Sequence, residues 1–375
     1  MASIVHFGKY YSPESGGIET ATMCFARGAV LAGHAVTVVC FDKNNVKNNS
    51  AIDGVHIIRA PIAKLVASQP LGLKYLFFCL KAAKGADIVH LHAPNFLAAL
   101  CALLIHKKQH LLVHWHSDVV NKGLLGIIMR PLESALLRRA NCIVVTSQEY
   151  AEASNVLTAY SNKITVVPIG IRDVKKSFDS LQLPSEIEKK VAGKKIILAV
   201  GRLVSYKGFD LIIQAANDIT SSAVIVIAGC GPLQYDLQKS IDLGGLNHRV
   251  LLTGHVSDEV LHSLYSHAAL YCLPSINRAE AFGVVLLEAM AHALPVVASN
   301  IPGSGVSWVN KNGSSGLNVP VKDSKALAQA CNDILNSNVL SIKFSRGARE
   351  RFISEFTEQV VVQRMLAVYN HLLLA

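Results

Sequence analysis

Apolar residues fall in short unbroken runs, and stretches of helical spacing stand between most of them. In the first half the β-branched and aliphatic runs are 3–7, 35–40, 55–59, 87–92, 111–115, 142–146 and 164–168. Helical periodicity occupies 17–33 and 131–140, among others. The series then restarts with runs at 195–200, 223–228, 250–253, 270–273 and 295–298, and helical patterns at 209–217, 256–266 and 282–292. Strands that are apolar throughout are buried on both faces, and strand–helix–strand order makes neighbours parallel. The pattern predicts an α/β chain of two doubly wound parallel-sheet, Rossmann-like domains. They are expected at 1–172 and 194–355, with a polar linker at 173–193 and a last helix at 356–375. Such sheets bind ligands beyond the C-terminal ends of their strands, which points to a cleft between the domains.

A chain of 375 residues with 51% apolar and 17% charged residues can bury two full cores. The N-terminal residues lack a charged stretch followed by an apolar run, so no signal peptide is expected. The longest apolar run, 96–105, is about half of the roughly 20 residues that a spanning helix needs. The eight cysteines lie mostly inside apolar runs with no Cys-x-x-Cys, as buried free thiols of a reducing cytoplasm do. Fifteen histidines include no H-E-x-x-H. Nor is there an Asp-x-Asp to hold a divalent ion on a diphosphate, so no metal cofactor is expected.

The charge is uneven. Residues 1–185 carry 19 Lys and Arg against 11 Asp and Glu, and the remainder carries 17 against 15. A basic first half suits a nucleic acid, an anionic membrane or a phosphorylated ligand. No aromatic-rich basic strand or recognition-helix pattern supports nucleic acid.

Three loops that follow predicted strands carry chemistry. Gly16 and Gly17 open a helix, and their free N–H groups suit an anion, although a tight strand-to-helix turn explains them as well. They do not make G-x-G-x-x-G, which disfavours a dinucleotide-binding dehydrogenase. In the second loop, Gly201-Arg202-Leu203 and Lys207-Gly208 place two cations where both could close on one diphosphate. In the third, Glu280 precedes an apolar helix that Glu288 interrupts. A carboxylate there needs partners, either an internal cation or ligand hydroxyls such as a ribose diol.

These motifs together resemble the E-x7-E retaining glycosyltransferases of the GT-B fold, the group 1 glycosyl transferases that include phosphatidylinositol mannosyltransferases. The E-x7-E is Glu280 to Glu288, with Phe282-Gly283-Val284-Val285-Leu286-Leu287 intact between them. Gly201-Arg202-Leu203 with Lys207-Gly208 matches the family's phosphate loop, and Gly229-Cys230-Gly231-Pro232 its G-x-G-P turn. Tyr206 departs from the acidic residue that many members carry before the Lys. The resemblance covers essentially the whole chain and implies that the C-terminal helix packs back on the N-terminal domain. Glu288 would bind the ribose of a nucleoside diphosphate sugar, and Glu280 the transferred sugar. Arg202 and Lys207 would hold the diphosphate, with Phe282, Gly283 and Val284 against sugar and phosphate and Gly16 and Gly17 approaching from the other domain. His116 would be the active-site histidine beside the donor sugar, and His114 a core residue. Arg202, Lys207, Glu280 and His116 form the implied catalytic set.

Nothing suggests the carboxylate pair of a hydrolase. The implied reaction is metal-independent hexosyl transfer with retention, from a GDP- or UDP-linked sugar to a lipid-linked glycan, in bacterial lipopolysaccharide O-antigen or capsule synthesis. A sugar-nucleotide-binding protein without transfer, or an epimerase, remains an alternative. The segments 71–84 and 121–131 mix aliphatic and aromatic residues with spaced cations, as interfacial helices do. They suggest a cytoplasmic enzyme that is peripheral on the inner face of the membrane, although core helices with basic outer faces fit too.

Overall fold

A computed structural model describes every residue except 14–15, 44–48, 67–68, 119–122, 174–180, 221 and 375, with only the backbone at 49 and 123–128. The described residues form two compact units. One is Met1–Ile171 with Phe356–Ala375, the other Arg172–Glu355.

The first unit holds β1 (Ser3–Phe7), β2 (Ala35–Asp42), β3 (Asn49–Ile52), β4 (Val55–Pro61), β5 (Lys64–Val66), β6 (Gln69–Leu71), β7 (Ile88–Ala93), β8 (His110–Trp115), β9 (Cys142–Val145) and β10 (Ile164–Val166). Eight of these make one sheet in the order β10-β9-β8-β7-β1-β2-β4-β3. Its central strands are closed on both faces because helices cover them, as with the fully buried β7. The pairings are parallel except at β3, which runs antiparallel to β4. The strand pattern does not predict this edge. Asp53 and Gly54 make the turn with φ of 51° and 78°, and two successive left-handed residues are what a two-residue hairpin needs. The predicted helix 131–140 is the second half of Gly123–Arg139, which runs through Pro131.

The last helix, Glu358–Leu374, belongs to this unit and packs against the helix Gly17–Leu31. The approach leaves no space for a side chain at two glycines. A Cβ on Gly28 would overlap Val362, and one on Gly170 would overlap Val361. Arg27 pairs with Glu358 beside this contact.

The second unit holds β11 (Lys195–Val200), β12 (Ala223–Ala228), β13 (Val250–Gly254), β14 (Ala268–Leu273), β15 (Val296–Asn300) and β16 (Gly316–Pro320). They form a parallel sheet in the order β13-β12-β11-β14-β15-β16. Ile197, Ile225, Leu270 and Val297 contribute to a core with Phe209, Ile213, Leu327 and Phe344 of the covering helices. The polar segment between the predicted domains carries a short helix, Ser185–Val191. All eight cysteines are free, and only Cys230 is exposed. No helix among the described residues is long and apolar enough to cross a membrane.

Candidate active site

In the second unit the chain builds outward from β11 to β13, then returns to β14 and builds the other way. The order therefore reverses between β11 and β14, where doubly wound sheets open a crevice at the strand ends. The two loops that carry Arg202, Lys207 and Glu280 leave the sheet at this point.

Close backbone packing binds the loops together. A Cβ on Gly229 would overlap the Gly201 carbonyl, and one on Gly231 the Leu203 backbone. Gly201 N–H donates to Ala228 O at 3.0 Å, and Leu203 N–H to Cys230 O at 3.0 Å. The G-x-G-P turn is thus the seat of the phosphate-type loop. Gly208, at φ 64°, faces the third loop, where a Cβ would overlap the Pro274 carbonyl. Ile276 N–H donates to Tyr206 O at 2.8 Å across the same seam.

This seam brings Lys207 Nζ to 2.6 Å from Glu280 Oε2. Both residues are 7% exposed. Ser275 Oγ donates to the same carboxylate oxygen at 2.9 Å. Burial works against the Lys207 charge, but the attraction of Glu280, helped by Tyr206, outweighs it and raises the Lys207 pKa. Arg202 is exposed, close enough to act electrostatically on Tyr206.

Gly283, at φ 81°, starts the helix Val284–Ala291 with no side-chain cap. This delays the predicted helix from 282 to Val284. Gly283 permits the turn because a left-handed backbone there would strain a side chain. The Phe282 ring is buried and lies 6.3 Å from Trp308, so its backbone is what remains for a ligand. Glu288 sits one turn into the helix and accepts a hydrogen bond from the Tyr265 hydroxyl at 2.7 Å. Burial raises the Glu288 pKa, partly offset by Tyr265 and by the positive charge of Lys207.

Gly16, Gly17 and His116 lie in the first unit. Gly16 caps the helix Gly17–Leu31 without a side-chain hydrogen bond. The Glu19 carboxylate folds against it, where a Cβ on Gly16 would meet Glu19 Oε2, so the proposed anion cradle faces an internal carboxylate. His116 follows β8 and is held by its N–H to Ala93 O at 3.1 Å. The next turn is fixed by Trp115 Nε1 donating to Asp118 at 2.9 Å.

Sequence reasoning missed Tyr265, Ser275 and the histidines around His116. Tyr265 gave no signal, since its partner Glu288 is on another helix. The histidines did: His90-Leu91-His92 and His114-Trp115-His116 put alternate residues of two strands on one face.

A family model described as "Glycosyl transferases group 1" matches residues 184–351, and one described as "Glycosyltransferase Family 4" matches residues 15–174. The two matches lie one in each half of a glycosyltransferase, with the group 1 glycosyl transferase match confined to the second. Among its relatives, the O-antigen chain mannosyltransferase C of Escherichia coli is 29% identical, with 99% of this chain and 98% of the relative covered. The D-rhamnosyltransferase WbpZ of Pseudomonas aeruginosa is 29% identical, over 94% and 92%. Among solved structures, sucrose-phosphate synthase from Thermosynechococcus elongatus matches 99% of both chains with a TM-score of 0.79 at 20% identity. Anabaena HepE in complex with UDP-glucose matches 99% of this chain and all of its own, with a TM-score of 0.79 at 18% identity. The fold of this glycosyltransferase is accordingly GT-B.

Proposed function

We propose that this glycosyltransferase moves a hexosyl group, with retention and without a metal ion, from a GDP- or UDP-linked sugar to a lipid-linked glycan acceptor. The process is the assembly of bacterial cell-surface polysaccharide, O-antigen or capsule. The observation that carries this reading is the Lys207–Glu280 contact at the reversal point of the second sheet. It sets a cation suited to a diphosphate beside a carboxylate suited to sugar hydroxyls, each held by a loop that glycines lock in place.

In this reading Arg202 and Lys207 hold the diphosphate and stabilise its charge as it departs, which leaves no step that requires a metal. Glu288 binds the ribose hydroxyls, and Glu280 orients the transferred sugar with His116. Phe282, Gly283 and Val284 offer backbone groups to sugar and phosphate, and Gly16 and Gly17 of the first unit offer theirs to the phosphate. The departing phosphate draws the proton from the acceptor hydroxyl on the face it leaves, which preserves the anomeric configuration. The names of the relatives support the polysaccharide context and a hexosyl donor.

A lipid-linked acceptor and an anionic membrane surface are supported by the first unit's charge and by exposed apolar residues in the segment 64–81. Leu65, Leu73 and Phe77 are 60%, 84% and 62% exposed, and Lys64, Lys74 and Lys81 stand exposed among them. Cations among exposed apolar residues suit the inner face of the cytoplasmic membrane. In the second segment, residues 121–122 and the side chains to 128 lie outside the described residues.

The test is a thermal-shift panel of GDP- and UDP-sugars, followed by incubation of the best ligand with lipid extract. Transfer with an unchanged anomeric configuration supports the reading. Isomerised sugar, an inverted product or no transfer overturns it.

A further inference from the structure

Five histidines share one face at the centre of the first sheet. His6 on β1 lies in register with His90 on β7, and His92 on β7 with His114 on β8. His116 follows two residues on. All five are at most 5% exposed, closed in by Phe25 of the helix Gly17–Leu31 and Tyr369 of the last helix. Burial keeps each of them neutral: the pKa values of His6 and His116 fall to about 3, and those of His90, His92 and His114 lie well below the ordinary value.

Three of the five form a chain. His6 Nδ1 lies 3.0 Å from His92 Nε2, and His92 Nδ1 lies 3.0 Å from His116 Nε2. The rings run nearly parallel, at 18° and 14°. His114 stacks on His116 at 4.0 Å, which resists rotation of that ring. His92 spends both nitrogens on its neighbours. The chain ends at His6 Nε2 and His116 Nδ1, both buried with no hydrogen-bond partner among the described residues.

A neutral imidazole has one N–H and one lone pair, so every link must point the same way. Either all three rings carry the proton on Nδ1, or all three carry it on Nε2. The first arrangement leaves a bare lone pair at His6 and an N–H at His116. The second leaves an N–H without a partner at His6, in the closed interior. Each arrangement leaves one buried N–H without a protein partner, at His116 Nδ1 in the first and at His6 Nε2 in the second. His116, just past the end of β8, is 5% exposed against 0% for His6, so only the first sets that N–H at the end of the sheet, where parallel sheets bind ligands. The first arrangement is therefore favoured.

We propose that His6 and His92 are positioning residues that lock His116 in the Nδ1–H form, which makes it a fixed hydrogen-bond donor to a sugar hydroxyl and not a general base. Its use in the reaction rests on the reading of His116 given above, whereas the lock itself does not. The same nitrogens also lie close enough for a transition metal, in the triples His6–His90–His92 and His92–His114–His116. The paired separations of 3.0 Å favour hydrogen bonds, since two nitrogens bound about 2.0–2.1 Å from one tetrahedral metal lie farther apart.

The experiment uses the full chain with ¹⁵N-labelled histidine and long-range proton–nitrogen correlation. The expected result is Nδ1–H for His6, His92 and His116, and in folded His92→Phe a mixture of forms at His116. His92→Phe should also lower kcat at least about 10-fold with little change in donor KM, since an imidazole in the wrong tautomer loses its function. An Nε2–H form at His116 in the wild type overturns the proposal, as does stoichiometric zinc or nickel taken up from added salt. If His116→Phe retains full activity while the wild-type spectrum shows Nδ1–H, the lock stands and the role assigned to His116 fails.

Discussion

Lys207 and Glu280 meet at 2.6 Å with both side chains buried, and Glu280 lies just before the helix that carries Glu288. Removing one partner strands the other charge, which costs about 3–5 kcal/mol in a buried pair. Lys207→Ala should therefore lower the unfolding midpoint as well as activity, whereas Lys207→Met with Glu280→Leu should regain stability and stay inactive. Thermal unfolding and turnover of the two variants separate the structural role of the pair from its chemical one.

Arg202 has no such structural role, being exposed. Arg202→Ala should leave the unfolding midpoint within about 0.5 kcal/mol of wild type and reduce kcat/KM by roughly 10²–10³, the loss of one transition-state donor. A near-normal rate would remove Arg202 from the diphosphate site.

Glu288 has its pKa raised by burial. The folded protein then holds this proton more tightly than the unfolded chain, so the contribution to stability is full at low pH. It declines as pH rises from the unfolded value toward the raised one. Glu288→Gln should thus match or exceed wild-type stability at neutral pH. It should weaken nucleoside diphosphate binding by about 1.5–3 kcal/mol, as for a lost hydrogen bond to a charged group. Melting curves from pH 4 to 8, with and without nucleotide, test both halves.

The buried histidines act in the opposite sense. Their pKa values are lowered on folding, so stability is full above about pH 6.5 and falls as the pH drops toward about 3, at up to ~1.4 kcal/mol per group per pH unit. Several such groups in one unit should make the first unit the acid-labile half of the protein. Hydrogen exchange at pH 5 should open β1, β7 and β8 well before β11, β12 and β14. Equal protection of both sheets would contradict it.

The strands were legible because buried parallel strands are apolar throughout, so that Ser3–Phe7, Lys195–Val200 and Ala223–Ala228 stand out from their flanks. The edges were not. β3 shows its Asp53-Gly54 turn but no apolar run, and β16 begins at a glycine because any Cβ there would strike the Val296 carbonyl. The loops bearing Arg202, Lys207 and Glu280 were visible as motifs, since glycines and charges at strand ends are local signals. Tyr265 on Glu288 was not visible, and of the chain from His6 to His116 only the alternation within 90–92 and 114–116 was, because the contacts depend on which strands and helices become neighbours.

The last helix has a consequence for the order of events during synthesis. Residues Phe356–Ala375 complete the first unit by covering Gly28 and Gly170 and reaching His90 through Tyr369. Domains generally fold as units as they emerge from the ribosome, the N-terminal one first. Here the first unit must wait for residues 356–375, which are made after Arg172–Glu355, so the second unit can fold before the first is complete. Released chains that stop before residue 356 should therefore carry a protease-resistant second unit and an unprotected first one.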